Sequence, residues 1–212
     1  NYFNGSTDYI TAPNNATLNV GASTFTFECW FYNMHDSQSG SFAGIGLIAS
    51  KSDYSGGNSN GWALYCYDSA NLATPTTKLT FIANGVSYIL TTSAGAVPFN
   101  TWTHVAVVKS GTNINIYANG VSVASSSSAP STINDTTTAF YIGSTVNGVN
   151  WNGTYPLRGY VSNARLVKGT AVYTSAFTPS TTPLTAITNT SLLTCQSNRF
   201  IDNSANNFAL TV

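Results

Sequence analysis

The sequence predicts an all-β protein, a sandwich of two antiparallel sheets of the jelly-roll type. The apolar segments in its 212 residues are short and are separated by turn residues, which is typical of β-sandwiches and barrels. Apolar and polar residues alternate with the period of a strand, and helical periodicity is nearly absent. A chain with this many short strands buries its apolar faces by packing two sheets together. The predicted strand segments are 2–12, 23–33, 42–51, 61–69, 78–85, 86–93, 101–110, 113–119, 121–126, 139–144, 159–169 and 191–198.

The stretch 101–126 predicts a central three-stranded meander. Trp102, His104, Ala106 and Val108 fall on one face of the first strand and Val105 and Val107 on the other, so both faces are expected to be covered. Asn119-Gly120 predicts a tight hairpin because both residues tolerate a positive φ, and Asn84-Gly85 predicts a second one.

Three connections are long and polar, namely 51–61, 124–138 and 143–159. Residues 170–184 contain two prolines and predict either an extended strap on the surface or one short helical turn. A chain of this length suits one large β domain, so we expect residues 1–212 to form a single domain. The absence of an initiator methionine leads us to expect a mature or excised portion of a longer protein.

The composition excludes several classes of function. Charged residues make up 7% of the chain and the net charge is zero, against about 25% charged residues in an average globular domain. Without a basic patch we expect no nucleic-acid binding, and no apolar run is long enough to cross a membrane. Little long-range repulsion opposes association with like molecules, which favours a subunit of an assembly.

The three cysteines, Cys29, Cys66 and Cys195, allow at most one internal disulfide. None has the CxxC spacing and the chain holds only two histidines, so we expect no zinc site. Because Cys29 and Cys66 lie in apolar strands, buried free thiols are the expectation.

Several motifs in order resemble the laminin G-like, concanavalin A-like lectin/glucanase sandwich. They are YFNGSTDYI at 2–10, FTFECWF at 25–31, GWALY at 61–65, NTWTHVAVVKSGTNINIYANG at 100–120, FYIGS at 140–144 and GYVSNARLVKGTAVY at 159–173. The segment 165–204 is also similar to laminin G-like modules of large phage structural proteins. The resemblance implies a virion adhesin, fibre or decoration protein.

One departure from the family pattern concerns the C-terminal segment. A strand of the type L-L…D-x-S-x-N often precedes the N-terminal motif of the family, whereas here SLLTCQSNRFIDNSANNF stands at 191–208. We expect the C-terminal strand, about 191–210, to close beside the N-terminal strand, because domain termini often lie close together. The alternative is that this strand opens a following copy.

The carboxylates argue against the hydrolytic chemistry that the family resemblance would allow. Glycoside hydrolysis needs two suitably placed carboxyl groups, and glucanases of this fold carry paired glutamates on one strand. This chain has one glutamate, Glu28, and six aspartates that show no close pairing. No G-x-S-x-G motif is present, and His104 is expected to be a hydrogen-bonded core residue. We therefore predict no enzyme activity.

Two kinds of site are predicted. Aromatic rings among neutral hydrogen-bonding groups suit sugar recognition, and the candidates are Tyr54, Trp62, Trp151, Asn152 and Tyr155; the alternative is that Trp62 is a core residue and Trp151 packs its own loop. Many laminin G-like domains hold Ca²⁺ with loop oxygens, and the resemblance implies a possible Ca²⁺ site at Asp53, Asn58 and Asn60, with Asp8 or Asp202 elsewhere.

These observations predict a non-enzymatic binding and assembly module of a phage virion or a microbial surface appendage. Its expected partners are copies of itself, other virion or appendage subunits, and a cell-surface glycan. The expected location is the virion or the cell surface. The alternative is a lectin-like carbohydrate-binding module of a secreted protein.

Overall fold

The computed structural model of the 212-residue chain describes residues 1–34, 46–53, 60–68, 77–145 and 156–212. It contains thirteen strands and one 3-10 turn, Ala16–Leu18, in these ranges. The strands are β1 (Tyr2–Asn4), β2 (Ile10–Ala12), β3 (Phe25–Asn33), β4 (Gly46–Ser52), β5 (Gly61–Asp68), β6 (Thr77–Ala83), β7 (Val86–Thr91), β8 (Trp102–Ser110), β9 (Asn113–Ala118), β10 (Val121–Ser126), β11 (Phe140–Ile142), β12 (Arg158–Lys168) and β13 (Thr190–Thr194).

The predicted all-β sandwich of two antiparallel sheets is confirmed. The front sheet has the strand order β1–β12–β3–β8–β9–β10, with β13 also paired to β12. The back sheet has the order β2–β11–β4–β5–β6–β7. The first predicted segment forms two strands rather than one, because the chain turns at Gly5 (φ 77°) and passes from the front sheet to the back sheet.

The core lies between the two sheets and follows the alternation of the strands. On β3, Phe25, Phe27, Cys29 and Phe31 point inward and are fully buried. The ring of Trp62 on β5 meets them, with its centroid 5.7 Å from the centroid of Phe25. All three cysteines are buried and free, as expected, and burial raises the pKa of the Cys195 thiol to about 11.

Both predicted hairpins have the backbone that their sequences indicate. Asn84 and Gly85 have φ values of 54° and 69°, and Asn119 and Gly120 have 49° and 80°, as a type I′ turn requires. Because the side-chain period of a strand is two, these turns set the register of β6 with β7 and of β9 with β10.

Residues 169–189, here called the strap, cross the outer face of the front sheet as an extended chain without a helical turn. The strap is tied to β3 where Thr26 Oγ1 donates to the Thr170 carbonyl and the Val172 N–H donates to Thr26 Oγ1. Further along, the Phe177 N–H donates to the Gly120 carbonyl at 3.0 Å. The strap therefore covers the part of this sheet face where Ala106, Val108 and Tyr117 are buried against it.

The two termini meet at one side of the sandwich. β1 and β13 pair with different parts of β12 on the edge opposite β3, so they lie end to end. The chain then crosses to the back sheet, where Thr211 forms a bridge with Thr11 of β2. Asp202 holds this tail, because its buried carboxylate accepts four hydrogen bonds from residues of β13 and the tail.

The described ranges hold no helix with the length and hydropathy of a membrane span.

Candidate functional site

Four aromatic residues lie side by side on the outer face of the front sheet. The strand register places Tyr2 of β1 opposite Tyr160 of β12, Tyr160 opposite Tyr32 of β3, and Tyr32 opposite Trp102 of β8. Residues directly opposite each other on neighbouring strands point to the same face. These four residues, here called the aromatic row, therefore run across four strands at one end of the sheet.

The rings of the aromatic row contact one another. The centroids are 5.1 Å apart for Tyr2 and Tyr160, 5.8 Å for Tyr160 and Tyr32, and 5.5 Å for Tyr32 and Trp102. Trp102 also reaches over Tyr32 to Tyr160, with a centroid distance of 6.2 Å. These distances lie in the range of favourable aromatic pairs, so the rings hold one another in place without cover from above.

The aromatic row is open to solvent although its residues are large and apolar in character. Tyr2 is 48% exposed, Trp102 is 42% exposed and Tyr160 is 37% exposed, and Tyr32 is half-buried between its neighbours. Single exposed aromatic residues are common, but a contiguous exposed group indicates a contact surface.

The strap borders the aromatic row on the side toward the middle of the sheet. Trp30, two residues before Tyr32 and on the same face of β3, donates its indole N–H to the Ser180 carbonyl at 2.9 Å. The exposed hydroxyls of Ser180 and Thr182 lie 3.1 Å apart in the strap. The boundary of the row on this side is therefore an indole ring with neutral hydroxyl groups beside it.

A buried ion pair fixes the strap to the sheet beside the aromatic row. Glu28 of β3 is fully buried, and its Oε1 accepts hydrogen bonds from Arg165 Nε at 2.9 Å and Nη2 at 2.5 Å. Its Oε2 lies 3.1 Å from His104 Nε2 and accepts a hydrogen bond from the Tyr173 hydroxyl at 2.7 Å. Arg165 Nη1 donates to the Thr185 carbonyl at 2.9 Å, so both ends of the strap are connected to this cluster.

The partners of Glu28 keep its carboxyl group ionised in this buried cluster. Burial raises the pKa of the Glu28 carboxyl, but the hydrogen bond from His104, the charge of Arg165 and the hydroxyl of Tyr173 together lower that pKa below its ordinary value. Because the Glu28 carboxylate only accepts hydrogen bonds, the bond between His104 and Glu28 places a proton on Nε2. Burial and the neighbouring Glu28 charge raise the pKa of Tyr173 well above its ordinary value, so its hydroxyl stays a donor.

The prediction that Trp62 contacts a ligand is wrong, and the core alternative holds. Trp62 is 1% exposed and its ring packs between Phe25, Phe27, Phe81 and Phe140. Trp62 is the second residue of β5 and lies on its inward face. The alternation of a short apolar strand does not distinguish the inward face from the outward face. The other predicted ligand contacts, Tyr54, Trp151, Asn152 and Tyr155, lie outside the described residues.

The residues predicted to bind calcium fall into separate parts of the chain, and Asp202 is the buried carboxylate that holds the C-terminal tail. The Asn60 N–H donates to Asp53 Oδ1 at 2.6 Å and Asn60 Nδ2 donates to Asp53 Oδ2 at 2.8 Å. Asp8 lies between β1 and β2, where its carboxylate accepts hydrogen bonds from the N–H and Nδ2 of Asn4 at 3.1 and 2.9 Å. Asn58 lies outside the described residues. Within the described ranges no three His, Cys, Asp or Glu side chains are placed to share a metal ion.

Sequence reasoning missed the aromatic row. Its members are up to 158 residues apart in the chain, as Tyr2 and Tyr160 are, and only the pairing of β1, β12, β3 and β8 brings them together. One feature of the sequence could have indicated it, namely large aromatic residues at strand ends on the face opposite the core, such as Trp102 at the start of β8.

The comparisons with known proteins agree with the fold. A laminin G model of the concanavalin A-like lectin/glucanases superfamily matches residues 4–187. No curated protein matches the chain by sequence. A protein of Bacteroides ovatus ATCC 8483, provisionally described as carbohydrate-binding, aligns over all of this chain and 58% of its own length, with a TM-score of 0.60 and 19% identity.

Two further structures share the fold. The CBM40 of the Ruminococcus gnavus IT-sialidase, solved with α2,3-sialyllactose, aligns over 82% of this chain and 92% of its own, with a TM-score of 0.51 and 12% identity. The enzymatically active domain of tailspike protein 2 from bacteriophage CBA120 aligns over 80% of this chain and 29% of its own, with a TM-score of 0.54 and 12% identity. Likenesses at these identities establish a common fold, and this chain spans little more than half of the B. ovatus protein.

Proposed function

This chain belongs to the concanavalin A-like lectin/glucanases superfamily, and on that premise we propose that it is a non-enzymatic glycan-binding module whose binding surface is the aromatic row. The observation that carries the proposal is the contiguous exposure of Tyr2, Tyr160 and Trp102 on one face of the front sheet. The CBM40 solved with α2,3-sialyllactose and the B. ovatus protein provisionally described as carbohydrate-binding share this fold, which supports the proposal.

The chemistry of the surface suits a neutral sugar. The C–H face of a sugar ring is apolar and packs on an aromatic face, while the hydroxyls at its rim need polar partners. The row supplies the aromatic faces, and Ser180 and Thr182 in the strap supply exposed hydroxyls next to Trp30.

The position of the one glutamate supports binding without catalysis. Glu28 is fully buried beneath the strap, and both of its carboxylate oxygens already accept hydrogen bonds. A general acid or nucleophile must reach the glycosidic bond, and a substrate on the aromatic row lies outside the reach of this carboxylate.

A glycan array followed by isothermal titration with each bound glycan tests the proposal. We expect Trp102→Ala to weaken binding about tenfold or more, equivalent to about 1.4 kcal/mol. The matched control is Tyr9→Ala, because Tyr9 is 41% exposed and lies beside Tyr141, away from the row. An array without any bound glycan would remove the proposed function, and undiminished binding by Trp102→Ala would remove the row as its surface.

We also propose, as a second function, that the chain is a subunit of a phage virion or a microbial surface appendage and acts outside the cell. The zero net charge favours close packing of like subunits, and the fold shared with a phage tailspike domain is compatible with this role. Sedimentation equilibrium across a hundredfold range of concentration tests it. The proposal would be contradicted if the protein stays monomeric throughout and also does not assemble with proteins encoded by the genes next to its own.

Calcium binding at Asp53 and Asn60 is a further proposal. Each oxygen of the Asp53 carboxylate accepts one hydrogen bond from Asn60 and keeps a lone pair for a hard cation, which needs six to eight oxygen ligands in all. We expect CaCl₂ to raise the melting temperature, and Asp53→Asn to abolish that increase while Asp8→Asn does not. An equal melting temperature with CaCl₂ and with EDTA would contradict the proposal.

A further inference from the structure

We infer, on the basis of the proposed function, that the aromatic row accepts a single glycan chain laid across the strands and does not accept the flat face of a packed polysaccharide. The proposed function requires only that some sugar contacts these rings. The direction of the row, the tilt of its rings and the boundary beside it restrict what kind of sugar that is.

The row is long in one direction. Its four members come from four neighbouring strands, β1, β12, β3 and β8, and neighbouring strands lie about 4.8 Å apart. The exposed rings at its two ends, Tyr2 and Trp102, belong to strands on opposite sides of β12, with centroids 5.1 and 6.2 Å from that of Tyr160, so the row extends over more than one sugar ring. A monosaccharide contacts part of the row, whereas an oligosaccharide that crosses the strands contacts both ends.

The rings do not share a plane. The interplanar angle is 52° between Tyr2 and Tyr160, 82° between Tyr160 and Tyr32, 61° between Tyr32 and Trp102, and 47° between Trp102 and Tyr160. The flat face of a packed polysaccharide presents its sugars in one plane and can contact coplanar rings only. A free chain rotates about its glycosidic bonds, so successive sugars can meet successively tilted rings.

The strap limits the width of the surface. Trp30 and Ser180 are joined by a hydrogen bond of 2.9 Å directly beside the row, and the strap lies above the level of the sheet because it packs on its outer face. A wide flat particle would meet the strap before it reached Tyr32, which is half-buried. A narrow chain can lie alongside the strap.

The inference is tested with soluble linear oligosaccharides and with solid particles. Titration with gluco-, manno-, galacto- and xylo-oligosaccharides of one to six units should show affinity rising about tenfold or more with length and then reaching a plateau. Sedimentation with microcrystalline cellulose and α-chitin should leave the protein in solution. Tyr2→Ala should remove the gain from the longer chains and leave the shorter ones unchanged, and Trp102→Phe, which keeps an aromatic ring, should retain most of the affinity.

The outcomes separate the inference from the proposed function. Affinity independent of length, equal losses for Tyr2→Ala at every length, or binding to the crystalline particles would overturn the single-chain inference and leave glycan binding standing. No binding to any oligosaccharide or particle would overturn both. Thermal unfolding of each variant, with Tyr9→Ala as the control for loss of an exposed ring, shows whether a lost affinity reflects a lost fold.

Discussion

Replacement of Glu28 by glutamine perturbs the strap and the front sheet at their common anchor. The amide has the size of the carboxylate and lacks its charge, so Arg165 is left buried without a counter-ion. Removing one partner of a buried ion pair costs about 3–5 kcal/mol. The lost bonds to His104 and Tyr173 are partly recoverable, because a hydroxyl and an imidazole can exchange donor and acceptor roles. The unpaired guanidinium therefore determines how much stability the variant loses.

Urea unfolding at pH 7, followed by the fluorescence of the tryptophans, measures the effect. A loss of about 3–5 kcal/mol is a large part of the roughly 5–15 kcal/mol by which a domain is stable. The double variant Glu28→Gln with Arg165→Met should recover much of the loss, because an apolar replacement of a buried pair is often nearly neutral. A single variant within 0.5 kcal/mol of the parent would refute the assignment of this ion pair as the anchor.

The ion pair of Glu28 and Arg165 also predicts that the stability of the protein depends on pH in the acid range. The folded-state pKa of Glu28 lies below its ordinary value of 4.5, so its contribution to stability is complete above the unfolded pKa and is lost as the pH falls through the folded pKa. The difference in unfolding free energy between the parent and Glu28→Gln should therefore be constant from pH 7 to about 5 and should shrink below pH 4.5. A difference that does not change with pH would contradict this.

Three other changes test separate parts of the fold by urea unfolding. Asp202→Ala should cost about 2–4 kcal/mol, because four hydrogen bonds end on this buried carboxylate; a loss below 1 kcal/mol would contradict its role in holding the tail. Gly120→Ala should destabilise by about 1–3 kcal/mol, since φ is 80° and an added Cβ would lie 1.8 Å from the Phe177 carbonyl oxygen, whereas Gly95→Ala, with open space around it, should cost less. Burial lowers the pKa of Lys51 to about 8 from 10.5, so the parent should gain stability between pH 8 and 10.5 relative to Lys51→Met; parallel pH profiles would contradict this.

The strands and hairpins of this protein follow from local sequence. The largely apolar run 101–110 predicts a strand covered on both faces, and both faces of β8 are buried. Asn-Gly pairs tolerate the positive φ that a tight hairpin turn requires. Each of these signals lies within a few residues, so β8, β9 and β10 and the turns at Asn84 and Asn119 could be predicted without the rest of the chain.

The residues of the candidate site are brought together by pairing between strands that are distant in the chain. Local alternation shows which neighbours in the strand share a face with Tyr32 or with Trp102, but it does not show that these two residues meet. For Trp62, the same alternation did not decide whether the side chain points into the core or out to solvent. Whether Glu28 is a free acid or a buried partner of Arg165 depends on residues 137 positions apart. The alternation of side chains between the two faces is a property of one strand and can be predicted from its sequence. The register between strands, and which face of a sheet is covered, depend on the free energy of packing over the whole molecule.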